Sequence, residues 1–226
     1  MPSKKTDQPA VKKRVLIVDD HPVFRAGLTG LVNLEPDLSV CGEAQDAEQA
    51  MDGIASLKPD LVLLDMSLPG KSGLELLKDI RATHPQTPVL IISMHDEALY
   101  AERVIRSGGR GYIMKQEGPE KVIKAVRKVL EGCISLSDDI SALILDTLAG
   151  PSGLHKKAAS VSTLTDREFE IYRQIGQGKD PQEIALVLHL SIKTVDTHRS
   201  HIKRKLGLKN NTELVHHATR WAADQV

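Results

Sequence analysis

The sequence predicts an α/β, doubly wound (βα)5 parallel-sheet domain followed by a small all-α, four-helix helix-turn-helix domain. Three observations predict it. Four short apolar runs, Val15-Leu16-Ile17-Val18, Leu61-Val62-Leu63-Leu64, Val89-Leu90-Ile91-Ile92 and Gly111-Tyr112-Ile113-Met114, have the length and continuity of strands buried on both faces. They alternate with segments whose apolar residues recur at helical spacing, as parallel strands joined by crossover helices require. After about residue 150 the strand pattern stops, and helix-capping sequences follow in close succession.

In order, Met1 to Arg14 is polar and basic and reads as a disordered lead-in over residues 1–13. It is no secretory signal, because the apolar run after it is too short. After the first strand a helix runs from Pro22 to Leu34, stopped before Pro36. Ser39 to Ala44 is a weaker strand, and Ala47 to Leu57 a helix ended by Pro59. Beyond Asp65, Leu74, Leu77 and Ile80 form one stripe of a helix from Leu74 to Arg81. Asp96 caps a helix to about Arg106, which Gly108-Gly109 ends. Pro119 opens the last helix of this domain, with Val122, Ile123, Val126, Val129 and Leu130 as its core face. Asp138 to Leu148 reads as one more helix, with Ile140, Leu143, Ile144 and Leu148 at helical spacing. Gly150-Pro151-Ser152-Gly153 and Lys156-Lys157 then form a linker. The domains are therefore set at 14–131 and 162–226, with a helix and linker over 132–161.

In the second domain Thr165-Asp166-Arg167-Glu168 is a capping box, and so is Asp180-Pro181-Gln182-Glu183. Ser191 caps a third helix, Ile192 to Leu206, closed by Gly207, and Asn210 or Asn211 starts a fourth, to about Ala223. Only His189-Leu190-Ser191 separates the second helix from the third, which is the helix-turn-helix pattern. On the third helix, Ile192, Val195, Ile202 and Leu206 share the inward stripe, with His198 at its edge. Lys193, Thr197, Ser200 and Arg204 lie opposite, flanked by Asp196 and Lys203. Short polar groups framed by cations suit base edges in the middle and phosphates at the rim. The plainer alternative is a solvated face of a helical bundle.

The 226 residues suffice for two small cores. The net charge of zero hides an asymmetry: 12 Lys and Arg stand against 8 Asp and Glu from His155 onward, and 18 against 22 before it. An acidic half joined to a basic half carrying six of the nine histidines points to a regulatory module and a nucleic-acid module. Cys41 and Cys133 make no disulfide framework and no metal-ligand spacing, and no apolar run approaches a membrane span. Cytoplasm is the expected location.

The strand ends carry the chemistry. Parallel strands bring Asp19-Asp20, Asp65, Ser93 and Lys115 to one edge, where doubly wound folds place their sites. Like charges about 4 Å apart repel by roughly 4 kcal/mol at an effective dielectric near 20, so three carboxylates together call for a cation. A hard divalent ion such as Mg²⁺ suits them. With the lysine opposite, the edge can cradle a phosphoryl group while Asp65 attacks phosphorus. Taken singly, Asp19-Asp20 reads equally well as a helix cap, and Ser93 and Lys115 as loop groups; their joint placement argues otherwise.

This set, with Tyr112 three residues before Lys115, resembles the receiver domain of bacterial two-component response regulators over about residues 12–131. The resemblance implies that Asp65 is the phosphoacceptor, that Asp20, Asp65 and the Ser67 carbonyl ligate Mg²⁺, and that Asp19 acts through water. It implies that Ser93 and Lys115 hold the phosphoryl oxygens, and that Tyr112 changes rotamer on activation.

Leu164-Thr165-Asp166-Arg167-Glu168, Glu183-Ile184-Ala185, Lys193-Thr194-Val195-Asp196-Thr197-His198 and Lys205-Leu206-Gly207 resemble the LuxR-type DNA-binding domain. A receiver followed by it is the arrangement of the NarL/FixJ family of transcriptional regulators. The resemblance implies a sensor histidine kinase as phosphodonor, double-stranded DNA as target, and a homodimer on DNA that the apolar stripe Leu214, Val215, Ala218 and Trp221 or Ala222 helps to pair, some of that stripe packing inside the domain. RNA polymerase is a further candidate partner. Asp196, Thr197 and Ser200 would face bases; Lys193, Thr194, Arg199, Lys203 and Arg204 complete the candidate contact set. Asp196 and Ser200 depart from the lysine found there in some members, and Asn211 from a frequent arginine. The receiver is expected to catalyse only its own phosphoryl transfer and dephosphorylation. It either shields the Ile192 to Leu206 helix or holds receivers apart until phosphate arrives. A phosphatase of the haloacid-dehalogenase type is disfavoured because Ser67 stands where its second acid belongs. A phosphorelay or docking module leaves the helix-turn-helix unexplained.

Overall fold

The computed structural model describes residues 11–149, 161 and 163–223. The stretch Met1 to Ala10, the linker expected at Gly150 to Gly153 and Lys156-Lys157, and Ser162 lie outside the described residues.

Five parallel strands form one sheet: β1 (Lys13–Val18), β2 (Leu38–Ala44), β3 (Leu61–Asp65), β4 (Val89–Ser93) and β5 (Gly111–Met114), in the order β2-β1-β3-β4-β5. Side chains alternate between two buried faces, which is why the strands read as unbroken apolar runs. Val15, Ile17, Leu61, Leu63, Leu90 and Ile92 pack under α1 (Pro22–Asn33) and α5 (Pro119–Leu130). Leu16, Val18, Val62, Leu64, Val89, Ile91 and Tyr112 pack under α2 (Ala47–Leu57), α3 (Gly73–Thr83) and α4 (Glu97–Arg106). The edge strand β2 is half-buried over Ser39 to Gly42, which explains its weaker pattern.

The register decides what meets at the carboxyl edge. Val18 pairs with Leu64, Asp65 with Ile92 and Ser93 with Met114. Asp19, Asp65, Ser93 and Lys115 are thereby brought within a residue or so of one another in height. Gly73 is required just beyond: a Cβ there would run into the Asp65 carbonyl oxygen and the Met66 backbone.

The caps read from sequence are formed. Asp96 accepts from the Ala98 N–H, and Thr165 and Asp180 each complete a capping box. Ser191 accepts from the Thr194 N–H, Gly207 closes its helix at φ 68°, and Asn210 accepts from the Glu213 N–H.

Helix α6 (Asp138–Ala149) departs from its expected stripe. Ile140 and Ile144 are half-buried on the core, but Leu143 is 55% exposed; among the described residues α6 meets the receiver mainly along α4.

Four helices follow: α7 (Asp166–Gly176), α8 (Pro181–Val187), α9 (Ile192–Leu206) and α10 (Asn211–Ala223). Val195 and Ile202 of α9 are buried as expected, whereas Ile192 is 46% exposed. Ile192 stands at the first turn of α9, at the end of the stripe. Leu214 and Ala218 of α10 are buried, Trp221 packs edge-on against Phe169, and Val215 is exposed. The apolar cluster under α2–α4 continues without interruption through Leu164 and Phe169 into this domain.

Candidate phosphorylation site and nucleic-acid interface

Asp19 and Asp65 are buried at the sheet edge, and Lys115 Nζ lies 2.6 Å from Asp19 Oδ2 and 2.8 Å from Asp65 Oδ2. One ammonium thus serves two carboxylates, and its own side chain is 5% exposed. Burial pushes the Asp65 carboxyl up to about 6; Lys115 pulls it down, and Asp19 adds to the rise. Asp20 is half-buried, with His21 Nδ1 2.7 Å from its Oδ1. Asp19 Oδ2 and Asp20 Oδ1 are buried without a well-directed hydrogen bond, despite these neighbouring nitrogens. Donor atoms of Asp19, Asp20, His21 and Asp65 lie within 4.8 Å of one another. Crowded oxygens, two of them poorly satisfied, are what a hard cation would find acceptable. Ser67 is exposed at the rim. Ser93 is buried and its Oγ accepts from the His95 N–H at 3.1 Å. The Tyr112 ring is buried, and its hydroxyl donates to the His95 carbonyl at 2.8 Å.

The other face lies on α9. Lys193, Asp196, Thr197, Ser200 and Arg204 are exposed. The Thr197 and Ser200 hydroxyls donate to backbone carbonyls one turn back, Lys193 and Asp196 respectively. Lys203 donates to Asn211 Oδ1 at 2.8 Å, so the asparagine that departs from the usual arginine positions this lysine. Two members of the contact set sit differently from the rest. Thr194 turns toward the Ser191 cap, and Arg199 is only 13% exposed, lying against Asp196 at 3.2 Å.

The matches to known proteins bear on both faces. Residues 15–127 match the response regulator receiver domain, and residues 162–218 the bacterial regulatory proteins of the luxR family. The oxygen regulatory protein NreC of Staphylococcus haemolyticus is 35% identical over 214 residues, covering 92% of this chain and 97% of that protein. The chain belongs to the NarL/FixJ family of two-component transcriptional response regulators. A LuxR-family response regulator from Aurantimonas is 32% identical with a TM-score of 0.57, covering 62% of this chain and 99% of that one. RcsB of Salmonella enterica serovar Typhimurium, solved bound to promoter rprA with the phosphomimetic BeF3⁻, is 25% identical with a TM-score of 0.60. That match covers 92% of this chain and 98% of RcsB. No helix among the described residues of this regulator is long and apolar enough to cross a membrane.

The response regulator also holds a set of residues that sequence reasoning missed: those joining its two domains. Arg103 of α4 donates to the Val161 and Leu164 carbonyls, each at 3.0 Å, and its guanidinium lies 4.1 Å above the Phe169 ring. Asp166 meets both Lys78 at 2.6 Å and Arg103 at 3.3 Å. Tyr100 packs edge-on against Phe169, and His95 stacks on Tyr100. Arg173 donates to His95 Nδ1 at 2.8 Å. Burial, helped by the Arg173 and Lys115 charges, lowers the His95 imidazole to about 3, so it accepts as a neutral ring. One faint signal was available. Ile171, Tyr172 and Ile175 share a stripe of α7, and Phe169, three residues before Tyr172, lies at its margin. A cleft lined by Ser67, Leu68, Arg167, Glu170, Leu188 and His189 separates the second domain from the rim of the acidic edge.

Proposed function

We propose that Asp65 accepts a phosphoryl group from a sensor histidine kinase, and that this frees the DNA-binding domain to pair on its operator. The observation that carries the reading is Lys115 bridging Asp19 and Asp65 at a buried edge. An Asp65 oxygen attacks phosphorus, the bond from phosphorus to the donor imidazole nitrogen breaks, and that nitrogen takes up a proton. Lys115 and the Ser93 hydroxyl then face the new phosphoryl oxygens. Asp19, Asp20, Asp65 and the Ser67 carbonyl are the groups that would hold Mg²⁺. Bound there, the ion would neutralise charge on the transferring oxygens. The reaction is confined to the chain's own phosphorylation and dephosphorylation.

His95 supplies the route outward. Its N–H rests on Ser93, its carbonyl receives Tyr112, and its ring receives Arg173 from the other domain. A phosphoryl group that draws the Ser93 hydroxyl inward removes the acceptor from the His95 N–H and loosens the Arg173 contact. Of the two expected versions of coupling, the exposed face of α9 favours the one without direct shielding. The receiver meets α7 at Asp166, Phe169 and Arg173, while Lys193, Asp196, Thr197, Ser200 and Arg204 stay exposed. Phe169 and the ion pairs of Asp166 anchor α7, so the closed form restrains how the domain is presented and leaves its reading surface open. On release, two copies would pair through the exposed side of α10 near Val215 and read the major groove with Asp196, Thr197 and Ser200. Cytoplasm and contact with RNA polymerase follow from the same reading.

The test is operator affinity with and without acetyl phosphate, at fixed salt, for the full chain and for the segment from about Gly150 to Val226. The full chain should bind about 5–150-fold more tightly when phosphorylated, the usual range for a coupling of 1–3 kcal/mol. The segment should bind without phosphate. Equal affinity of the full chain in both states overturns the coupling.

A further inference from the structure

We propose that Glu168, His198 and His201 form a binding site for one divalent ion of the zinc class, which would clamp the recognition helix α9 to the start of α7. The cluster lies between α7 and α9, remote in sequence from the acidic edge, and neither phosphorylation nor base contact uses it.

Three observations carry the proposal. Glu168, His198 and His201 each offer a donor atom, and these lie within 4.8 Å of one another. The ring nitrogen Nδ1 of His198 is buried with no hydrogen-bond partner among the described residues, a cost that a histidine serving only as packing would ordinarily relieve. Glu168 is buried and divides its oxygens. Oε2 accepts from the Thr165 N–H at 2.8 Å and from Lys205 at 2.6 Å, while Oε1 lies 3.9 Å from His201 Nδ1. The capping box and the lysine pair therefore account for one oxygen and leave the other toward the imidazoles.

Two imidazoles and a carboxylate suit a borderline ion such as Zn²⁺ better than Mg²⁺ or Ca²⁺, which prefer all-oxygen shells. Tetrahedral zinc with bonds of about 2.0–2.1 Å places its donors about 3.3 Å apart, so the cluster must contract somewhat. His201 can supply that movement, its side chain being 42% exposed and three residues from His198 on the same helix face. No fourth protein donor belongs to the cluster among the described residues, so water would complete the shell. Lys205 opposes the ion by charge, but its side chain is 30% exposed and can turn to solvent. Because Thr197 and Ser200 directly precede His198 and His201, an ion there would fix the height of the reading residues above α7 independently of phosphate.

The test uses the full chain without a histidine tag, in millimolar Mg²⁺ to fill the acidic edge. Co²⁺ is titrated while its visible d–d absorption is followed, and Zn²⁺ then displaces it. The expected result is one saturable equivalent with a tetrahedral band. His201→Ala should weaken affinity about tenfold or more, on the scale by which even supporting residues of metal sites act. His216→Ala should leave it unchanged. Zn²⁺ should raise the melting temperature of the parent and leave that of His201→Ala where it is. Melting in EDTA shows whether His201→Ala is folded, and His201→Gln replaces it if its transition is lost. Failure to saturate, or equal affinity in the parent and the His201 variant, overturns the site.

Discussion

Helices α7 and α9 belong to the same small domain, yet they stand in opposite relations to water. From Asp166 to Tyr172 every residue of α7 is buried, the charged Asp166, Arg167, Glu168 and Glu170 included. On α9 only Val195 and Ile202 are fully buried, and one whole face of cations and hydroxyls is open. On the proposed reading, the difference separates two jobs. A surface that reads DNA must be solvated before binding and present charge to phosphates. A surface that conveys a state of the receiver must be packed against it, so that a small shift costs contacts. Charges on α7 are tolerated because they are paired: Arg167 with Glu170 at 2.7 Å, Glu168 with Lys205, and Asp166 with Lys78 and Arg103.

The contrast can be broken at its source. Asp65→Asn should abolish phosphoryl uptake, because the amide is a poor nucleophile and a weak metal ligand. The α7 interface should then stay closed under any phosphodonor. The check is acid-stable, base-labile labelling; stoichiometric label on the variant would place the acceptor elsewhere.

Next in size is loss of the interface itself. Arg103→Ala removes two carbonyl contacts, an ion pair with Asp166 and the cation over Phe169. The unphosphorylated variant should gain operator affinity by a factor within about 5–150-fold, approaching the phosphorylated parent. Fluorescence anisotropy on one duplex at constant salt measures it. A variant that binds like the unphosphorylated parent would mean that α7 is not the restrained element.

Burial of α7 also makes a prediction about pH. Burial pushes the Glu170 carboxyl up to about 7, against the pull of Arg167. A carboxyl whose folded value is raised contributes stability that is full below the ordinary glutamate range and is lost as pH rises through about 7. Glu170→Gln lacks that titration. Its stability relative to the parent should therefore improve by about 1–2 kcal/mol between pH 5.5 and pH 8 in urea unfolding. A difference that stays flat across this window would show that Glu170 is ionised throughout in the folded chain.

The smallest effects belong to α9 and sharpen its side of the comparison. Lys203→Ala should weaken binding to all sequences alike and reduce the salt slope by about one. Ser200→Ala should alter sequence preference, by about 1 kcal/mol at one position, with the slope retained. Selection from random duplexes at two salt concentrations separates them. The same pattern from both substitutions would undo the division between reading and gripping.

What the sequence determined was everything that depends on local periodicity and on chain punctuation. Unbroken apolar runs such as Leu61 to Leu64 specified strands buried on both faces, and their final residues specified which groups share the carboxyl edge. Thr165, Asp180, Ser191 and Gly207 fixed helix ends, because a cap is a bond between residues three or four apart. That Asp19, Asp65 and Lys115 share one edge was legible from the same logic, whereas the pairing of Lys115 with both carboxylates was seen only in the structure. The tertiary structure alone decided which faces of α4, α6 and α7 are covered. Leu143 fits a core stripe and is exposed, while Asp166 looks like a solvated first-turn acid and is buried between Lys78 and Arg103. The orientation of His95 toward Arg173 belongs to the same class. Such contacts join residues 58 to 88 positions apart. Helical spacing states which residues share a face; it carries no information about which distant surface, or water, that face will meet.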